Sequence, residues 1–64
     1  MQDAKLTPEM VPVIKKALAE GYNYARISSY YQLNFGRIAD VKKGRRFPDI
    51  PPARELPADF PTIH

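Results

Sequence analysis

The chain of 64 residues has no cysteine, which excludes together a disulfide framework, a thiolate metal site and a cysteine nucleophile. Its single histidine, His64, stands at the very end without ligating neighbours and is read as solvated. No glycine-rich phosphate loop follows a strand, no acidic or histidine cluster has metal-ligand spacing, and no nucleophile has a base at hand. Asp3, Glu9 and Glu20 fall on turns or solvent faces where no pair converges. The chain therefore does not read as an enzyme, and no cofactor is expected. No apolar run approaches the ~20 residues of a membrane span, and MQDAKLTPEM lacks the apolar core of a secretion signal. The expectation is a cytoplasmic protein with no membrane partner. Internal repeats are absent too.

What the chain does have is an uneven charge. The formal net charge is +3, but residues 1–47 carry nine Lys or Arg against four acids, a balance of +5, while residues 48–64 carry a balance of −2. Four cations, Lys42, Lys43, Arg45 and Arg46, fall almost consecutively. That density suits a polyanion, although a solvated charge run has the same composition. Five of the seven prolines lie beyond Phe47, which argues against helix or central strand there.

These shifts divide the chain into a helical domain at 1–47 and a proline-rich extended tail at 48–64. The first six residues read as a loose lead-in. Thr7, Pro8 and Glu9 form a helix start, with hydroxyl cap, pre-set proline and acid at the positive end of the dipole. This places helix 1 at about 8–20, ending on Gly21. Val11, Ile14, Leu18 and Gly21 mark one face, with Lys15, Lys16 and Glu20 outside. Pro12 is awkward within that span and requires a kink or a 3₁₀ first turn. Asn23 caps a second helix at about 24–31, in which Ile27 and Tyr31 face inward and Tyr24, Arg26 and Ser28 face outward. Asn34 caps a third, at about 35–43, stopped by Gly44, with Ile38 and Val41 inward. The tail is read as extended, with Phe47 and Ile50 folding back onto the helices. It is either inert or a semi-rigid arm for a partner's groove.

The organising stretch is Asn23 to Lys43, NYARISSYYQLNFGRIADVKK. Its apolar residues Ile27, Tyr31, Leu33, Ile38 and Val41 step by four, two, five and three. The first and last steps are helical, and the middle ones require a bend at Gln32 and Leu33. This segment, roughly a third of the chain, resembles the helix-turn-helix of bacterial and phage DNA-binding proteins. The run NFGRIADVKKGRRFPDIPPA is similar to the recognition end of small regulators of phages and mobile elements, which often carry a polar residue in place of Phe35. Two positions depart from the family pattern. Ser28 stands where Ala is usual, and Gln32 stands where Gly is usual, so Gln32 is expected to need a positive φ.

The resemblance implies an all-α fold of three helices and a role as a sequence-specific DNA-binding protein, a transcriptional regulator or mobile-element accessory factor. The candidate base contacts are then Phe35, Gly36, Arg37 and Asp40, and the candidate phosphate contacts are Tyr24, Asn34, Lys42, Lys43, Arg45 and Arg46. Each has a plainer role beside it. Arg37 could simply pair with Asp40, and Asn34 could simply cap. Gly36 costs about 1 kcal/mol against Ala in a helix, which makes sense if another backbone must approach. Phe35 could meet thymine methyls or, with Tyr22, Tyr24 and Tyr30, form a protein-binding patch. Tyr30 and Tyr31 read better as core. A short reading helix needs a homodimer on two half-sites or a protein partner. The alternative keeps the fold and makes it a protein-interaction module, an antiactivator or polymerase-associated factor working through the aromatic patch and the tail.

Overall fold

Local capping divides the chain into three short helices. The computed structural model describes residues 6–61. Residues 1–5, including Asp3 and most of the lead-in, and residues 62–64, including His64, lie outside that range. In chain order α1 is Val11–Ala19, α2 is Tyr24–Tyr31 and α3 is Phe35–Lys42. The described residues contain no strand, in line with the all-α expectation. Among them, no helix is long and apolar enough to cross a membrane.

α1 starts three residues later than Thr7 and Pro8 suggest, and Thr7 is not its cap. Met10 occupies the cap position without any side-chain bond. The carbonyls of Thr7 and Pro8 instead accept from the N–H groups of Met10 (3.1 Å) and Val11 (3.2 Å) in a tight lead-in turn. Pro12 supplies the reason. A helix running through it would lose a bond and press its ring on the carbonyl of residue 8, whereas in the first turn its missing N–H is one that would be unpaired anyway. The other end closes as expected on Gly21, at φ 97°. Tyr22 N–H reaches Ala17 C=O (3.0 Å) and Gly21 N–H reaches Leu18 C=O (3.2 Å), the paired bonds of a left-handed helix stop.

The core consists of Val11, Ile14 and Ala17 from α1, Ile27 from α2, Leu33 from the joint, Ile38 and Val41 from α3, and Phe60 from the tail. α3 packs on both α1 and α2. Tyr31 and Leu18, expected inward, pack against this cluster but stay partly exposed.

Residues 47–61 have neither helix nor strand, yet they do not form an independent arm. The chain reverses at Phe47, whose φ of 52° is left-handed. Lys15, expected on a solvent face, secures that reversal: its ammonium donates to the carbonyls of Phe47 (3.0 Å), Pro48 (3.4 Å) and Ile50. Three donors thus meet three acceptors. Ala53 N–H donates to Pro12 C=O (2.9 Å), tying the tail to the first turn of α1. Phe47, Ile50 and Leu56 cover the core's edge, and Phe60, only 8% exposed, enters it. Tyr22 packs edge-on to Phe60 at 5.1 Å and donates its hydroxyl to Pro61 C=O (2.7 Å). Tyr30 lies 4.5 Å from the Phe60 ring and donates to the Asp59 carboxylate (2.8 Å). A line drawn at residue 47 therefore does not separate two packing units. Helices of eight or nine residues bury little apolar area by themselves, and a tail aromatic, Phe60, adds to the core they form.

Phe60→Ala is expected to cost about 3–5 kcal/mol, most of the stability of a domain this small. Urea unfolding measures it, and an unchanged midpoint would show that the tail contributes nothing to the core. The tyrosines add a pH dependence. The hydrogen bond to Asp59, followed by burial and the Asp59 charge, pushes Tyr30 above the ordinary value of 10.0, and burial followed by the Asp59 charge does the same to Tyr31. The folded state holds these protons more tightly than the unfolded chain does. Their contribution is therefore complete below pH 10 and disappears as pH rises through the raised values. Thermal melts should fall more steeply above pH 10 in the parent than in Tyr30→Phe.

Candidate functional site

The orientation of α3 is set at both of its ends. At its start, Gln32 takes φ 57° and ψ 39°, the left-handed conformation that its place in the turn requires. Leu33 N–H donates to Ser28 C=O (3.2 Å), and the Ser28 hydroxyl donates back to Leu33 C=O. Ser28 is therefore a fastener of the joint as well as a small residue at a helix contact. Leu33 is buried between the helices, and Asn34 caps α3 by accepting from Arg37 N–H (3.0 Å).

With Ile38 and Val41 buried, the 100° step of a helix turns Gly36, Asp40 and Lys43 to the opposite side as one stripe. Gly36 and Lys43 are exposed and Asp40 is half-buried. The flanks differ. On one side Phe35, 53% exposed, meets Tyr24 edge-on at 6.0 Å, and the Lys42 ammonium lies 5.7 Å from the centre of the Tyr24 ring. That cation sits within the range of attraction to an aromatic face. Arg37 lies about 200° round the helix from Phe35, on the other flank. Of the four candidate base contacts, Gly36 and Asp40 thus share the outward stripe, while Phe35 and Arg37 border it from opposite sides.

Gly36 has a structural reason that spacing could not reveal. A Cβ there would lie 3.3 Å from the side-chain Oδ1 of Asn34, crowding the cap. The four-ring patch expected from Phe35, Tyr22, Tyr24 and Tyr30 divides in two. Tyr24 stays with Phe35, while Tyr22 and Tyr30 meet Phe60 and Tyr31 packs edge-on to Tyr30; Tyr30 and Tyr31, read as core, lie against the core's edge and stay partly exposed.

The cations follow at the far end. Gly44, at φ 76°, lets the chain double back, so that Arg45 N–H (2.8 Å) and Arg46 N–H (3.3 Å) both reach Asp40 C=O. The two guanidinium groups meet the Asp40 carboxylate at 3.5 and 3.7 Å. The partners of Asp40 are these two arginines, and no ion pair among the described residues joins it to Arg37. Lys42, Lys43, Arg45 and Arg46 are all exposed. Beside them an open cleft of about 370 Å³ is lined by Leu18, Val41 and Pro48 together with Lys15, Lys42, Lys43 and Gly44. Among the described residues no group of three or more His, Asp or Glu is placed to hold a metal ion.

Three functional details escaped the sequence: the Lys15 clamp, the Ser28 bond and the Asp40 pairing. Only the last had a usable signal, since an acid five and six residues before two arginines, with Gly44 between, fits a left-handed helix stop that turns back on itself. No family model matches this chain, and no match was found among curated proteins or solved structures.

The joint can be tested without any ligand. Gln32→Gly removes about 1–2 kcal/mol of left-handed strain and adds about 0.5–1 kcal/mol of unfolded-chain entropy. The expected net effect is a stabilisation of up to about 1 kcal/mol in urea titration, and a destabilised variant would show that the Gln32 side chain holds the turn.

Proposed function

We propose that this chain is a small sequence-specific DNA-binding protein of the helix-turn-helix type, a transcriptional regulator or mobile-element accessory factor, that lays α3 in the major groove. The observation that carries this reading is the outward stripe of exposed Gly36, half-buried Asp40 and, at the C-cap of α3, exposed Lys43, continued by the exposed Lys42, Arg45 and Arg46. A helix of eight residues with polar groups outward fits a major groove about 12 Å wide, and cations beyond its end lie where phosphates of the groove wall would run. Phosphate contacts supply affinity and register, while the stripe and its flanks supply sequence preference. So short a helix reads few base pairs, so useful discrimination requires a second copy on a neighbouring half-site or a co-bound protein.

A second reading, the same fold acting as a protein-interaction module, is favoured by one observation: Phe35 is exposed with Tyr24 packed against its ring edge. Exposed rings bordered by a cation are typical anchors of protein contacts. This pair flanks the outward stripe on the side away from Arg37, so the two readings make different residues essential.

A gel-shift panel on duplexes selected from random sequence tests the first reading. Arg37→Ala is expected to cost about 1–3 kcal/mol and relax preference at one base, and Lys43→Ala to weaken all sequences alike and lower the salt slope by about one. If both bind like the parent while Phe35→Ala alone loses its partner, the second reading replaces the first.

A further inference from the structure

We propose that Asp40 is an electrostatic gate for polyanions: its carboxylate holds Arg45 and Arg46 in the free protein and surrenders them to phosphates, which makes this acid a determinant of discrimination. The inference rests on the DNA-binding reading for its biological meaning, but the gate itself is a property of the cation pair.

The pairing is built into the backbone. Gly44 turns the chain through φ 76°, and the N–H groups of Arg45 and Arg46 both end on the Asp40 carbonyl, at 2.8 and 3.3 Å. The side chains of both arginines are thereby brought back over the residue that carries the acid. Their contacts to it, 3.5 and 3.7 Å, are long for charge-assisted bonds. The arginine side chains are 65% and 47% exposed, against 26% for Asp40. Exposed ion pairs of this kind are weak, and water or another anion can replace the carboxylate. Pairing therefore dampens the attraction of the arginines for any passing phosphate without removing it.

Asp40 also lies on the outward stripe of α3, between Gly36 and Lys43, where an approaching duplex would meet it. A carboxylate there repels phosphate and accepts from an amino group on a base edge, such as that of cytosine. On a favourable sequence the arginines pass to the phosphates and the released carboxylate gains an amino donor. On an unfavourable sequence, or on a polyanion without bases, the carboxylate has no replacement partner. One acid thus penalises non-specific binding more than specific binding, which is what specificity requires.

The test compares D40N with the parent and with D49N, which removes the same charge from the exposed tail residue Asp49. The probes are heparin and, separately, a selected and a scrambled duplex. D40N is expected to elute from heparin at higher salt, to bind the scrambled duplex about three- to tenfold more tightly, and to narrow the gap between selected and scrambled duplex. D49N should do neither. In a background where Arg45 and Arg46 are both alanine, the D40N gain should shrink to the smaller part that the carboxylate's own repulsion of phosphate supplies. Circular dichroism confirms that each variant is folded. The proposal is overturned if D40N matches the parent on heparin and scrambled duplex, if D49N produces an equal gain, or if the gain is undiminished by loss of the arginines. A protein that binds heparin through the gate but neither duplex would retain this inference and lose the DNA-binding reading.

Discussion

Leu33 sits where α2 and α3 join, buried in the core and held through its own backbone. Its N–H and C=O are both held by Ser28, one through the backbone carbonyl and one through the hydroxyl. The residue before it takes the left-handed conformation that makes this closure possible. Because the joint is so short, the direction in which α3 leaves it is set within narrow limits, and so is the face of α3 that meets Ile14 and Ile27. Everything proposed for the outward stripe follows from that geometry. A slip of one residue at the joint would rotate α3 by about 100° and bury Lys42 or Asp40 in place of Val41.

The tail performs a complementary task on the other side of the molecule. Three helices this short leave an open flank, and the proline-rich segment closes it without needing regular hydrogen bonding of its own. Lys15, Tyr22 and Tyr30 take up carbonyls and a carboxylate of the tail, and Phe60 joins the core. Prolines suit this role because an irregular chain with few N–H groups leaves few donors unpaired when it lies on a protein surface. The cations are divided accordingly. Lys15 serves the fold, while Lys42, Lys43, Arg45 and Arg46 remain at the surface. Of the tail's acids, Asp59 is held on α2 by the Tyr30 hydroxyl.

Much of the architecture could be read from single residues. Asn23 and Asn34 announce caps, Gly21 and Gly44 announce stops, and the change in apolar spacing between Tyr31 and Ile38 announces a bend. Gln32 in the place of a glycine signals positive φ, and the structure has it. These signals are local: each depends on hydrogen bonds spanning at most six residues. The start of α1 was legible in principle as well, since Pro12 conflicts with Thr7 and Pro8, but two helix-start signals close together do not say which one prevails. The candidate site was legible as a set of residues and not as an arrangement. Arg37 and Phe35 are two positions apart in sequence and on opposite flanks in space, and Asp40 is nearer in sequence to Arg37 than to the arginines it pairs with.

By itself the sequence determined that there are three helices, the asparagine caps of α2 and α3, the glycine stops of α1 and α3, most of the inward residues and the concentration of positive charge at the end of α3, because each is decided by neighbours a few residues away. Only the tertiary structure decided that Phe60 belongs to the core, that Lys15 faces the tail and that Tyr22 and Tyr30 leave Tyr24 alone with Phe35. Those outcomes depend on which surfaces the packed helices leave uncovered, over separations of about thirty to forty residues. No periodicity or cap carries that information.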